Sequence, residues 1–138
     1  MRTLTKKQIK KITKQKVWDM FSKYIRLKYS DKDGFVICYT CGTKKFWKKM
    51  QAGHGLSGRG NSILFDEEIV RPQCPQCNIF MHGNPDVFHM KLIKEFGEYF
   101  FERKLREKNT VKKFTQSELR ELYEHYSKEV EKLLEVKE

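Results

Sequence analysis

The chain has no apolar run long enough to span a membrane, since a helix needs about 20 consecutive apolar residues to cross a bilayer. Its first sixteen residues, MRTLTKKQIKKITKQK, contain no apolar stretch of the kind that marks a secretory signal. Both absences lead to the expectation of a soluble, cytoplasmic protein. Hydrophobic residues are scarce, at 38% against 34% charged. A single domain of 138 residues built this way has a thin core that needs reinforcement. Acidic residues are nearly missing from one end: residues 1–29 hold ten Lys/Arg and one acid, Asp19. No cysteine is left over once the four are paired by spacing, and no repeat appears beyond those two pairs.

The charge that is present is asymmetric. The chain carries +11 overall, whereas residues 110–138 hold six Lys/Arg against seven acids. A basic arm joined to a near-neutral tail suits a polyanion on one side of the molecule. One acid against ten bases favours nucleic acid over a merely solvated helix face. The arm lacks the broad apolar face that a membrane surface would require. Candidate phosphate contacts are Lys6, Lys7, Lys10, Lys11, Lys14, Lys16, Lys23, Arg26 and Lys28, which would hold a backbone without reading sequence.

Periodicity divides the chain into three parts: a basic helical arm at 1–29, a cysteine-containing core at 35–84, and helices at 85–138. Apolar residues at helical spacing, Ile9 to Ile25, predict a helix over 4–29, ended by the turn formers of SDKDG at 30–34. Strands are expected within 35–42 and 44–51, and an extended piece within 63–73. Residues 75–82 read as a two-turn helix with Pro75 in its first turn. Asn84 reads as an N-cap and Pro85 as the first residue of a helix to about 107, with Gly97 as a kink. TQSE at 115–118 fits a capping box and opens a last helix whose apolar stripe suits core or dimer contact.

Cys38-x2-Cys41 and Cys74-x2-Cys77 form a paired signature for one tetrahedral, four-thiolate zinc site. A thioredoxin-like redox pair fits poorly, because neither pair sits in a βαβ setting. A closed four-thiolate site has no open coordination position, so this zinc is expected to be structural. The 32 residues between the pairs exceed what a minimal zinc ribbon needs. They contain His54, Arg59, Asn61, Asp66 and Glu67 beside or near glycines.

These residues carry a resemblance. CYTCG, then AGHGLSGRGNSILFDEEIVRPQCPQCNIFMHGN, within 38–84, is similar to the phage NinG/Rap recombination proteins. These are zinc-braced HNH, or ββα-metal, nucleases with a layout similar to phage endonuclease VII. The likeness extends from KVWDMFSKYIRLKY at 16–29 to about Gly97. The resemblance implies that His54 is a general base, suited to neutral pH because an unperturbed histidine titrates near ~6.5. It implies that Asn78, directly after the last cysteine, helps to hold a catalytic Mg2+ or Mn2+. Gly53 stands where many HNH enzymes have an aspartate ligand, so His82, one turn after Asn78, or Asp66 or Glu67 is needed to complete the shell. Ile69 stands where similar chains carry asparagine, a role that Asn61 would then take. Arg59, in the glycine-rich loop, is a candidate phosphate grip.

The expected fold is α+β and mostly helical, a zinc-braced HNH core between a basic N-terminal helix and C-terminal helices. The expected function is a metal-dependent endonuclease acting on branched recombination intermediates such as Holliday junctions or D-loops, in a host-cell cytoplasm if phage-encoded. The resemblance admits a homodimer, which the sequence itself does not show. The alternative is a zinc-stabilised DNA-binding recombination accessory without catalysis; a weaker one is an RNA-binding zinc ribbon.

Overall fold

Thr13 starts the first helix. Its Oγ1 accepts the Lys16 backbone N–H at 3.1 Å, which satisfies one of the amides left open at a helix start. Helix α1 runs Lys14–Lys28. The computed structural model describes residues 11–56 and 60–136. Residues 11–13 precede α1 without helical structure, and the expected helical stretch over 4–10 lies outside the described residues, with Lys6, Lys7, Lys10 and Arg59. Val17, Phe21 and Ile25 form the buried stripe of α1 at four-residue spacing.

Helix α1 ends before a hairpin of β1 (Phe35–Ile37) and β2 (Lys44–Phe46), paired from Phe35↔Phe46 to Ile37↔Lys44. The expected strand over 44–51 is divided. Trp47–Lys49 form a single tight turn, and buried Trp47 packs with Leu27, Val36 and Met50. Burying that indole turns the chain out of the first sheet. Strand β3 (Gln51–His54) then opens a second sheet and pairs antiparallel with β4 (Val70–Gln73), from Gln51↔Gln73 to His54↔Val70.

After Pro75 the chain makes a wide π-helical turn, Gln76–Phe80, closed by Met81 N–H to Gln76 O at 2.9 Å. It replaces the expected two-turn helix over 75–82. Helix α2 (Pro85–Phe96) and helix α3 (Glu98–Lys108) are separate. Gly97 between them has φ +92°, a backbone that side-chain-bearing residues rarely adopt. The kink expected at Gly97 is therefore a full break. Asn84 stands at the N-cap position with φ +49° and makes no side-chain cap bond; its amide instead lies 3.8 Å from Cys77 Sγ.

Helix α4 (Gln116–Val136) opens on a complete capping box. Thr115 Oγ1 accepts the Glu118 N–H at 3.1 Å and Glu118 Oε1 accepts the Thr115 N–H at 3.2 Å. The helix runs beside α1 in the same direction. Gln116 exchanges two hydrogen bonds with Ile12 at 3.0 and 2.9 Å, Phe21 and Tyr24 meet Tyr126, and Leu27 shares a cluster with Val130. The apolar stripe of α4 is thus used in the core through Leu119, Tyr126 and Val130. Among the described residues no helix is long and apolar enough to cross a membrane.

Candidate functional site

Two turns bring the cysteines together. In the β1–β2 connection, Cys38 N–H donates to Thr43 O at 2.8 Å and Gly42 N–H to Cys38 O at 3.0 Å; the π-helical turn places Cys77 near Cys74. All four sulfurs lie within 4.8 Å of one another, and Cys41 and Cys74 are 3.6 Å apart. Zinc–sulfur bonds of about 2.3 Å in a tetrahedron set sulfurs about 3.8 Å apart, so the cluster fits such an ion. Burial raises the Cys38 thiol, but the Thr40 hydroxyl and nearby backbone amides outweigh it and bring it to about 6. Burial, reinforced by the Cys41 and Cys38 sulfurs, pushes Cys74 up to about 12. Four thiolates this close repel one another, and a bound dication removes that cost. Cys38, Cys41, Cys74 and Cys77 would hold the ion in a closed structural site.

A separate cavity of about 350 Å³ opens between α1, β3 and the π-helical turn. Trp18, Ser22 and Arg26 line it from α1, spaced four residues apart and one position on from the buried stripe. His54 and Gln51 line it from the two ends of β3, and Asn78 from the turn. Trp18 stacks on the His54 imidazole, with centroids 5.0 Å apart and planes 18° apart. His54 Nε2 lies 3.0 Å from Leu64 O. A carbonyl can only accept, so Nε2 carries the proton and the neutral ring has its lone pair on Nδ1.

Asn78 Nδ2 donates to Gln51 Oε1 at 2.7 Å, which fixes the amide. Gln73, fully buried on β4, lies behind it. Its Nε2 donates to Thr40 Oγ1 at 3.0 Å and to Gly83 O at 2.8 Å, while Oε1 has no hydrogen-bond partner among the described residues. Thr40 Oγ1 is in turn 3.5 Å from Cys38 Sγ, so Gln73 links the cysteine cluster to the cavity wall. A Cβ on residue 53 would stand 1.8 Å from Gln73 Oε1 and 3.0 Å from Asn78 Oδ1. The glycine is required because Gln73 fills the space that an aspartate there would enter.

The structure thus brings His54, Asn78 and Arg26 to one cavity and leaves other candidates outside it. His82 is exposed, has φ +53°, and does not line the cavity. Asp66 is paired with Lys104 at 2.7 Å, accepts the Glu68 N–H at 3.0 Å, and lines a different cavity. Glu67 accepts from the Tyr24 and Tyr126 hydroxyls at 2.9 and 3.2 Å. Asn61 does not orient His54 but bonds Lys14 and the Lys112 carbonyl. Ile69 is fully buried core. Lys11, before α1, and Lys14, Lys16 and Lys28 on it are exposed, and Lys23 is half-buried beside Trp47. The spacing of Trp18, Ser22 and Arg26 was readable as a second helix face; nothing in the sequence marked Gln51 or Gln73.

The donor set does not make a divalent-cation site unaided. Hard cations favour carboxylates, and the described lining of the His54 cavity contains none. Asp66 and Glu67 are bonded elsewhere.

A mixed helix-and-strand fold with a four-cysteine, metal-compatible cluster beside a histidine-containing polar cavity defines the class. The chain matches the family described as bacteriophage lambda NinG protein over residues 1–137 and belongs to that family, which is associated with phage recombination. No curated protein and no solved structure matches the chain.

Proposed function

We propose that this protein is a DNA endonuclease that hydrolyses phosphodiester bonds in branched recombination intermediates, Holliday junctions or D-loops among them, with His54 as general base. The observation that carries this reading is the His54 geometry: Nε2 tied to the Leu64 carbonyl at 3.0 Å, the ring backed by Trp18, and the cavity faced by amide and guanidinium groups. A ring held so presents a defined tautomer, with the Nδ1 lone pair as the basic site. In the proposed step Nδ1 takes a proton from water. The water oxygen bonds to phosphorus, the bond to the leaving sugar oxygen breaks, and that oxygen takes a proton from solvent. His54 ends the first strand and Asn78 follows the last cysteine, as the ββα-metal resemblance implies, but a π-helical turn stands where that layout has a helix. A Mg2+ or Mn2+ ion would neutralise charge on the phosphate when bound, but the cavity offers only the Asn78 amide to it, so the step above rests on the chain's own residues. The exposed lysines of α1 would hold the DNA backbone in a salt-dependent manner.

The carboxylate-free cavity favours a second reading, a DNA-binding recombination accessory without catalysis. A substrate panel separates the two. Zinc-loaded protein is incubated with a four-way junction, a nicked duplex and a linear duplex of matched length, in Mg2+, in Mn2+ and in EDTA, with zinc retention checked. Hydrolysis with preference for the junction is expected. Binding of all three substrates with no cutting under any condition supports the accessory.

A further inference from the structure

Arg26 is the one full positive charge in the described lining of the His54 cavity, and that lining contains no negative charge. The protein treats its other buried cations differently. Arg71, 6% exposed, forms a two-pronged pair with Glu95 at 3.0 and 2.9 Å. Lys104, 7% exposed, lies 2.7 Å from Asp66 and 3.0 Å from Glu68. Arg26 is half-buried, and among the described residues it forms no ion pair.

What holds Arg26 is neutral. Nε donates to Ser22 O at 3.1 Å, Nη1 lies 3.3 Å from Trp47 O and 3.5 Å from Met50 O, and the guanidinium sits over the Trp47 ring at 5.4 Å. These contacts fix the plane of the group through Nε and Nη1 and leave Nη2 without a hydrogen-bond partner among the described residues. Burial correspondingly lowers the guanidinium's pKa. A cation taken partly out of water, with Asp19 acting on it only from a distance and no ion pair formed, is costly unless an anion arrives. A pre-oriented guanidinium suits the oxygens of a phosphate, which it can hold through paired hydrogen bonds.

We propose that Arg26 makes the His54 cavity a phosphate-oxyanion site that fills without a divalent cation and takes a phosphate of the nucleic-acid backbone. The identity of the ligand as backbone phosphate rests on the nuclease reading; the anion site does not. Arg26 is then the group that brings the phosphate to the histidine, and its charge does at the phosphorus what a carboxylate-poor metal shell does weakly.

The test is a titration of the zinc-loaded full chain with inorganic phosphate in buffer free of other divalent ions, read from the NMR shifts of the His54 imidazole. A saturable shift is expected, weakened about tenfold or more in Arg26→Gln. Arg26→Lys, which keeps the charge and protects against loss of folding, should bind with intermediate affinity. Lys128→Gln removes the same charge from an exposed position of α4 and should change little. The dinucleotide TpT should compete with phosphate. No saturable shift until Mn2+ is added, or equal weakening by Lys128→Gln and Arg26→Gln, overturns the proposal. Phosphate binding that TpT cannot displace overturns the assignment to backbone. Arg26-dependent binding without DNA cleavage keeps the anion site and removes the hydrolase; cleavage without such binding does the reverse.

Discussion

Gly53 and Gln73 show how one missing side chain organises the site. The Gln73 amide nitrogen has two acceptors, whereas its oxygen has no donor among the described residues and lies over the α-carbon of Gly53. A methyl group at 53 must push Gln73 aside and break its link to Thr40. Gly53→Ala is therefore expected to cost about 1–3 kcal/mol, the usual penalty for overpacking. Gln73→Ala should relieve part of it in the double variant, because the two positions are in contact. Urea unfolding of the four proteins, zinc-loaded, measures the coupling. Additive losses would mean that the Gly53–Gln73 contact does not set the position. This pairing was not legible in the sequence, where Gly53 reads as a departure from a catalytic pattern. The reason lies on another strand, in the register Gln51↔Gln73, Gly53↔Arg71.

At the scale of elements, local signals were legible and long-range ones were not. The capping box at Thr115 and Glu118 and the paired cysteine turns each depend on a few adjacent residues and could be read directly, whereas Gly97 read as a kink in one helix and is a break between two. Assigning Asn61 to the histidine, and Asp66 or Glu67 to a metal, needed the tertiary fold. There Lys14, Lys104, Tyr24 and Tyr126 take those groups instead. The pair Arg71–Glu95 joins β4 to α2 in the same unreadable way. Burial alone would raise the Glu95 carboxyl, but the Arg71 and Tyr39 hydrogen bonds outweigh it and hold it below its usual value. A lowered carboxylate contributes stability above its unfolded value, near ~4.3, and that contribution is lost as pH falls through the folded value. Glu95→Gln is expected to cost about 1–2 kcal/mol at pH 7, discounted for the 40% exposure of Glu95. Its deficit relative to the unmodified protein should shrink as pH drops below that range. A deficit independent of pH would show that the lost contribution is packing and not charge.

At the scale of the whole molecule, the cysteine cluster does the work that a thin apolar core cannot. Cys38, Cys74 and Cys77 are packed with Leu27 of α1, Trp47 and Val130 of α4, so the cluster and the helical layer share one buried unit. An ion bound there would hold together sulfurs that otherwise have only weak partners inside it. Chelation is expected to release one zinc per chain, expose the thiols to a modifying reagent, and lower helical circular dichroism, since α1 and α4 lose their shared support. Intact helical signal with the thiols fully reactive would confine zinc to a local clip. The asymmetry of charge belongs to this scale too: exposed lysines on α1 stand on the helix that also brings Trp18 and Arg26 to the cavity.

Whether His54 is the base is tested most directly by single-turnover cleavage of a four-way junction, with binding measured on the same samples of unmodified protein and His54→Ala. Cleavage reduced by at least about a hundredfold in His54→Ala, with junction affinity and zinc content unchanged, is the predicted result. Equal cleavage by the two proteins, or cleavage by neither, would contradict it.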